Sequence, residues 1–285
     1  MKNLQITLDS TCDLNKEQIE KFDLKLIPFY VLVDGTDKLD GVEVSGADIV
    51  EYVKTSGNLP RTSAPSVEAY TEFFKEALNN AETVLHFSIS SEFSVANSNA
   101  ISASKAFDGR VKIIDTRSLS TGISLVMLNA LDMLSANTPL DEVVQKCNEV
   151  AKCTQASFVV ESLTMLHKGG RCSGLAAFLG KTLGLRPSLL VKNGKLGANK
   201  KYLLSKYDVI VRKYVLDTLK QFPDIDKTRC FVTHTPTRPE LIKTVIDIAK
   251  EHFDEVIETD AGATICSHCG ENTIGILYTC NSPLA

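Results

Sequence analysis

Short apolar segments alternate with helical segments through the first half of the chain, and this alternation limits the possible folds more than any other feature. Three segments have the length and residue types of strands, and each is followed by a helical segment. The pairs are residues 4–8 with 15–22, 83–89 with 97–107, and 110–115 with 121–136. Strands and helices at this spacing build a mostly parallel sheet that helices cover on both faces. The sequence therefore predicts an α/β fold.

Serine and proline residues locate further elements in this half. Residues 45–55 and 66–79 are predicted helices, because each begins with a serine that can cap the first turn. Residues 24–32 are a predicted strand, and Pro28 within it indicates an edge position or a bulge, since proline has no N–H to donate. Residues 140–154 have the pattern of an amphipathic helix.

The pattern changes after about residue 156, where hairpin signals mix with helices. The predicted strands are 157–160, 187–192 with a turn at 192–195, 230–234, 255–258 and 273–278, and the predicted helices are 163–167, 175–183, 209–222 and 239–252. A chain of 285 residues also favours two domains, since single cores rarely grow beyond about 250–300 residues. We predict an N-terminal α/β domain over 1–156 and a C-terminal α+β domain over 157–285.

Charge and apolar pattern argue against several classes of protein. The net charge is -4, with 31 basic against 35 acidic residues, whereas nucleic-acid-binding proteins usually present a basic face. The longest apolar-rich stretch, residues 123–134, contains polar residues and is far shorter than the roughly 20 residues of a membrane span. The first residues show no apolar run of signal-peptide length. We expect a cytoplasmic protein whose eight cysteines act as small buried hydrophobic residues.

The C-S-H-C motif at residues 266–269 is the strongest candidate for a metal site. It offers thiolates and an imidazole, but a structural zinc site needs four ligands, and no second pair of this kind occurs in the sequence. We interpret the motif as a turn of small residues and predict no metal.

Aspartates lie at the ends of predicted strands, where α/β proteins gather functional groups. Asp9, Asp13 and Asp115 could bind Mg²⁺ or act as acids and bases, but we favour helix capping and turn formation. The glycines at 169, 170, 180 and 184 match neither a P-loop nor a dinucleotide-binding motif.

Three polar segments are better interpreted together than singly. Residues 62–66 and 88–94 are rich in hydroxyl groups and precede helices, and His268 is predicted to lie in a glycine-flanked turn. Hydroxyl groups at helix starts are usually caps when they stand alone. As a set they indicate a group of hydroxyl and N–H donors that could hold one anion.

The order of several motifs resembles that of the DegV family of bacterial fatty-acid-binding proteins. The similarity extends from about Leu4 to Tyr278. It implies a two-domain DegV-like α/β fold with one fatty acid buried between the domains. The matching segments are residues 9–14, T-S-A-P-S at 62–66, 90–100, I-D-T-R-S at 114–118, L-H-K-G-G-R at 166–171 and L-G-L-R-P at 183–187.

The resemblance also implies which residues hold the ligand. Thr62, Ser94 and His268 match positions that bind the carboxylate of the fatty acid, and Ser63 and Ser91 are possible secondary contacts. The implied ligand is a long-chain fatty acid such as hexadecanoate, with no cofactor, no metal and no catalytic residue. In several members the protein presents the acyl chain to an ATP-dependent fatty acid kinase, so the implied role is that of a carrier rather than an enzyme.

Departures from the family pattern and alternative functions complete the prediction. The family's S-S-G-L-S-G-T segment is replaced by one containing Glu92, Val95 and Ala96, and Leu203 stands near a position that is basic in many members.

One alternative function is that of an acyl hydrolase or acyltransferase using Ser94 or Ser91 with His268. The sequence contains no G-x-S-x-G elbow, which such enzymes often have. Another alternative is a regulatory module that binds a different small carboxylate.

Overall fold

The computed structural model describes residues 2–169, 186–203 and 206–284. The strands in these ranges are β1 (Lys2–Asp9), β2 (Lys25–Ile27), β3 (Tyr30–Val33), β4 (Thr36–Leu39), β5 (Arg61–Ser63), β6 (Ala81–Ser88), β7 (Val111–Asp115), β8 (Thr154–Val159), β9 (Arg186–Lys192), β10 (Lys195–Tyr202), β11 (Ile225–His234), β12 (Glu255–Asp260) and β13 (Ile274–Cys280). The helices are α1 (Lys16–Lys21), α2 (Gly46–Ser56), α3 (Val67–Leu78), α4 (Ala96–Ser104), α5 (Thr121–Ser135), α6 (Leu140–Cys153), α7 (Thr164–Lys168), α8 (Tyr207–Gln221), α9 (Pro239–Ala249) and α10 (Ala263–Cys269). The predicted helix at 175–183 lies outside the described residues.

The first sheet has the strand order β2-β1-β6-β7, and all of its neighbouring strands are parallel. Its strands are joined by helices, so the predicted mostly parallel sheet is confirmed. The predicted caps are also present: Ser45 and Ser66 each accept a hydrogen bond from a first-turn N–H, and Asn15 does the same at α1. Such caps satisfy N–H groups that have no partner within the helix.

A small antiparallel sheet, β4-β3-β5, branches from the first sheet at Pro28. The single strand predicted over residues 24–32 is therefore wrong: β2 belongs to the parallel sheet and β3 to the small one. Pro28 has no N–H for a sheet hydrogen bond, and the next N–H, that of Phe29, donates to Ser10 Oγ at 3.1 Å. After this break the chain enters β3, which pairs with β5, the strand that contains Thr62.

The second sheet has six strands in the order β10-β9-β8-β13-β11-β12. Only the β11–β12 pair is parallel, which agrees with the mixed α+β pattern predicted for this half. Strand β13 comes last in sequence but lies between β8 and β11. The predicted domain boundary at 156/157 falls inside β8, which pairs with β13 from Thr154 to Val159. If the chain is divided into two domains, we therefore propose that the division precedes Thr154.

The two large sheets share helix α5. This helix is apolar on most sides, and it contacts β6 of the first sheet and both β8 and β13 of the second. Ile123, Leu125 and Val126 are fully buried, and each such side chain stabilises the fold by about 1.5–3 kcal/mol relative to an exposed one. Among the described residues, no helix is both long and apolar enough to cross a bilayer.

Candidate functional site

A cleft opens where the small sheet and α10 face the second sheet. It contains about 630 Å³ of space not filled by protein atoms, part of which is open to solvent. Most of its wall is apolar. The lining residues are Phe29, Thr62, Ser63, Ala64, Ile89, Phe93, Ser94, Leu119, Phe158, Leu166, Leu196, Thr264, Ile265, His268 and Cys269.

The polar end of the cleft brings together residues that are far apart in sequence. Thr62 Oγ1 lies 2.8 Å from His268 Nε2. Thr62 is held by the pairing of β5 with β3, opposite Val31, and both its side chain and that of His268 are half-buried. When Nε2 carries the proton, His268 donates to Thr62 and the hydroxyl proton of Thr62 can point into the cleft.

Two of the predicted serines line this cleft and one does not. Ser63 and Ser94 are lining residues, and Ser94 Oγ accepts a hydrogen bond from the Ala96 N–H at 3.2 Å. Ser91 is exposed and donates to Asp115 Oδ2 at 2.6 Å, outside the lining. The structure therefore brings Thr62, Ser63, Ser94 and His268 together but leaves Ser91 apart from them.

Glu92, the acidic residue beside the cleft, is paired with a base. Its carboxylate lies 3.3 Å from Lys195 Nζ, at the start of β10. Both side chains are partly exposed, so the pair adds little stability. It does offset a negative charge that would otherwise lie close to Ser94.

Helix α10, which carries His268, is anchored by two buried aspartates from the start of the chain. The Gly262 N–H donates to Asp13 Oδ1 at 2.9 Å, and the Ala263 N–H donates to Asp40 Oδ1 at 2.8 Å. The oxygens of these two carboxyl groups satisfy two of the orphan N–H groups at the N-terminal end of the helix. The position of His268 therefore depends on residues more than 220 positions earlier in the chain.

Burial perturbs both anchoring carboxyl groups. It raises the pKa of Asp13 to about 8, against the opposing effect of hydrogen bonds from the Ser120 hydroxyl and the Gly262 N–H. Burial also raises the pKa of Asp40. Asp40 was not identified from the sequence, and Asp13 was assigned to a local turn or cap. The contact with Gly262 spans 249 positions, so no local sequence signal could reveal it.

The capping role predicted for Asp9 is wrong. Asp9 is fully buried, and its carboxylate accepts hydrogen bonds from the Tyr70 hydroxyl at 2.5 Å and from the Ile89 N–H at 2.8 Å. His86 Nε2 lies 3.2 Å from the same carboxylate. Since Ile89 lines the cleft, this network fixes the start of the serine-rich segment. Asp115, in contrast, does form the predicted turn, because it accepts a hydrogen bond from the Arg117 N–H.

The β9–β10 hairpin closes the other side of the serine-rich segment. Its turn residue Gly194 accepts a hydrogen bond from Ser90 Oγ at 2.9 Å, and the Arg117 guanidinium donates to the neighbouring Asn193 carbonyl. Gly194 has a φ of +79°, and a Cβ atom there would come within 2.7 Å of Ser90 Oγ. Both the backbone conformation and the close approach therefore favour glycine.

The C-S-H-C motif is part of helix α10 and not the predicted turn. Cys266 and Cys269 are buried, and burial raises the pKa of the Cys269 thiol to about 12 and that of the Cys266 thiol as well. Protonated thiols are poor metal ligands and poor nucleophiles. Across residues 2–169, 186–203 and 206–284, the side chains form no group of three or more potential metal ligands.

The fold and the cleft define an α/β protein with an apolar cleft that is polar at one end. Residues 3–281 match the DegV family, described as "Uncharacterised protein, DegV family". The chain belongs to this family, as its sequence motifs indicated. A protein of Thermotoga maritima called "Fatty acid-binding protein" is 30% identical, and the match covers 95% of this chain and 96% of that protein.

Solved structures agree with this assignment. A DegV family protein from Thermus thermophilus, whose structure is described as showing fatty acid binding, superimposes with a TM-score of 0.89 at 27% identity. The match covers 97% of this chain and 99% of that one. A stearic acid-binding protein from Eubacterium ventriosum gives a TM-score of 0.84 at 25% identity and covers 98% of both chains. The predicted α/β DegV-like fold is therefore confirmed.

Proposed function

We propose that this protein binds a long-chain fatty acid such as hexadecanoate in the cleft, with the carboxylate at Thr62, Ser94 and His268. The observation that carries the proposal is the contact between Thr62 and His268 at one end of an otherwise apolar cleft. These residues are 206 positions apart, and their side chains meet at 2.8 Å. The fatty-acid-binding relatives support the same ligand class.

The polar end can satisfy a carboxylate without a buried cation. A carboxylate entering an apolar site needs hydrogen-bond donors, because an unpaired buried charge is very costly. With Nε2 of His268 donating to Thr62, the Thr62 hydroxyl is directed to the ligand, and the hydroxyls of Ser63 and Ser94 supply further donors. Each such hydrogen bond to a charged group contributes roughly 1.5–3 kcal/mol.

The apolar wall supplies most of the binding free energy. Phe29, Phe93, Phe158, Leu166 and Ile265 are among its side chains. Burial of each methylene contributes roughly 0.8 kcal/mol, so an acyl chain of about 16 carbons gains on the order of 10 kcal/mol before ordering costs. This is sufficient for tight binding without a covalent bond.

The polar end of the cleft suits a carrier that presents its ligand to a second protein. Ser63 lies at this end and is exposed, as is Arg61, the residue before Thr62. A carboxylate held here by neutral hydroxyls would be accessible from outside while the tail stays buried. We therefore propose a cytoplasmic carrier that presents the fatty acid to an ATP-dependent fatty acid kinase.

The alternative of a serine-dependent acyl hydrolase or acyltransferase receives less support from the geometry. A catalytic serine needs a base within hydrogen-bond reach. The Nε2 atom of His268 contacts the Thr62 hydroxyl, Ser94 Oγ accepts from a backbone N–H, and Ser91 donates to Asp115. These contacts fit ligand binding better than activation of a serine.

Native mass spectrometry and organic extraction of the purified protein test the proposal. We expect a co-purified fatty acid at a ratio of one per chain, and loss of that ligand in a Thr62→Ala, Ser94→Ala double variant. Ser91→Ala is the matched control, because its hydroxyl lies outside the cleft lining, and it should retain the ligand. An empty wild-type protein that also fails to bind added hexadecanoate would refute the proposal.

Kinase presentation needs a separate assay. The loaded carrier is mixed with a fatty acid kinase and ATP, and formation of acyl phosphate is followed by mass spectrometry. Product that forms only in the presence of the carrier supports the partnership. Acyl-ester hydrolysis by the carrier alone, abolished by Ser94→Ala, would instead favour the enzyme.

A further inference from the structure

We propose that a pocket beside the turn of the β9–β10 hairpin binds a small organic phosphate, with Arg117, Lys152 and Lys192 holding the phosphate group and an apolar wall holding the organic part. This pocket is separate from the cleft proposed to bind the fatty acid, since the described residues that line the two have no member in common. The two sites can therefore be tested independently of each other.

Four segments of the chain meet at this pocket. They are the turn after β7, the junction between α6 and β8, the hairpin turn and the residues that follow β13. The pocket contains about 600 Å³ of space not filled by protein atoms, part of which is open to solvent. The Leu284 N–H donates to the Lys152 carbonyl at 3.0 Å and so fixes the last of these segments against α6. A ligand that enters from solvent therefore contacts several segments at once.

The charge of the pocket has the opposite sign to that of the protein. Of the described residues that line it, three are basic and none is acidic, although the chain carries a net charge of -4. No acid in the described part of the chain forms an ion pair with Lys192. Lys152 lies 2.8 Å from Glu149, but both side chains are more than half exposed, so this pair is weak. Like charges gathered in a concave site attract ions of the opposite sign, and this pocket therefore favours an anion.

Arg117 is held in position before any ligand binds. Its guanidinium donates to the Asn193 carbonyl, and it packs so closely against the hairpin turn that a Cβ atom at Gly194 would lie 3.1 Å from Nη2. The other terminal nitrogen, Nη1, lies 3.9 Å from Asp115 Oδ2, which is too far for a hydrogen bond. A guanidinium has five N–H donors, so several can still bind a ligand. Their planar arrangement matches the oxygens of a phosphate group.

The remaining lining residues favour an organic phosphate over a simple ion. Ala151, Val191, Pro283 and Leu284 place apolar surface beside the three bases. A phosphate monoester carries a charge of about −1.5 to −2 at neutral pH, which suits three cations better than the single charge of a carboxylate does. The apolar wall can in turn cover the organic group to which the phosphate is attached.

Isothermal titration calorimetry of the full chain tests this site with phenyl phosphate, inorganic phosphate and benzoate. Lys152→Gln and Lys192→Gln each remove one positive charge from the lining and leave the contacts of Arg117 in place. Lys250→Gln removes the same charge at the end of α9, outside the pocket lining, and is the matched control. All three lysines are exposed, so the variants should fold like the wild type.

We expect one phenyl phosphate to bind per chain, more tightly than inorganic phosphate or benzoate, because it alone combines two charges with an apolar group. Lys192→Gln should raise its Kd by roughly three- to tenfold and the Lys152→Gln, Lys192→Gln double variant by more, whereas Lys250→Gln should leave it unchanged. Added NaCl should also weaken binding, because salt screens partly exposed charges.

Three results would overturn the proposal. The first is a wild-type protein that does not bind phenyl phosphate with a Kd below about 1 mM. The second is an equal effect of Lys192→Gln and Lys250→Gln, which would show that only the net charge of the protein matters. The third is binding of benzoate or inorganic phosphate as tight as that of phenyl phosphate, which would contradict the assignment to an organic phosphate. None of these results bears on fatty acid binding in the cleft.

Discussion

Replacement of Thr62 by valine is the most direct perturbation of the proposed carboxylate site. Valine keeps the β-branched shape and the preference for a strand, so β5 should keep its pairing with β3. The change removes one oxygen, which lies 2.8 Å from His268 Nε2. The apolar wall of the cleft is unaltered.

The expected magnitude follows from the hydrogen bonds that Thr62 makes. A hydroxyl that donates to a carboxylate contributes roughly 1.5–3 kcal/mol, equivalent to about 10- to 150-fold in Kd. Thr62 is half-buried, so water can replace part of the lost contact, and we expect a change in the lower part of this range, about 10- to 30-fold. The free energy of unfolding should fall by no more than about 1.5 kcal/mol, the net contribution of one neutral hydrogen bond.

The assay measures displacement of a fluorescent fatty acid by hexadecanoate and by hexadecanol. Both ligands have the same tail, but only the acid carries a negative charge. The substitution should raise the Kd for the acid much more than the Kd for the alcohol. An equal effect on both ligands, or no effect on the acid, would show that Thr62 does not bind the carboxylate.

Two further predictions concern stability. Because burial raises the pKa of Asp13 to about 8, the folded protein keeps a proton that the unfolded chain loses above about pH 4. The free energy of unfolding should therefore decrease between about pH 4 and pH 8, by at most about 1.4 kcal/mol per pH unit. Urea titrations at several pH values should show that the free energy of unfolding of Asp13→Asn depends less on pH than that of the wild type. Gly194→Ala should destabilise the protein by more than Gly35→Ala, because both glycines have a φ of +79° but only Gly194 has a neighbour, Ser90 Oγ, within 4 Å; equal losses in denaturant titrations would show that the contact is unimportant.

Local sequence signals predicted the fold well where one element determined its own structure. Ser45 and Ser66 cap helices as expected, because capping involves residues only three positions apart. The break at Pro28 was located but interpreted as an edge position or a bulge, since the sequence does not show that β2 and β3 join different sheets. The last helix was missed, and His268 was assigned to a turn, because α10 has only seven residues and its N-terminal N–H groups are satisfied by distant aspartates.

Only part of the candidate site could be predicted, because local sequence does not show which distant residues pack together. Motif resemblance indicated Thr62, Ser94 and His268, and all three line one cleft. Ser91 follows the same motif but is bonded to Asp115, a partner that pattern alone did not reveal. The buried contacts of Asp9 with Tyr70, and of Asp13 with Gly262, depend on how distant elements pack.

The position of β13 has a consequence for how the protein acquires its shape during synthesis. This strand lies between β8 and β11. Those two earlier strands do not pair with each other, so they can join one sheet only after β13 has been synthesised. A ribosome that has produced residues up to about 270 therefore carries a chain with an incomplete second sheet. Non-local pairing of this kind slows folding. The unjoined edges of β8 and β11 are the places where a chaperone would be expected to bind the nascent chain.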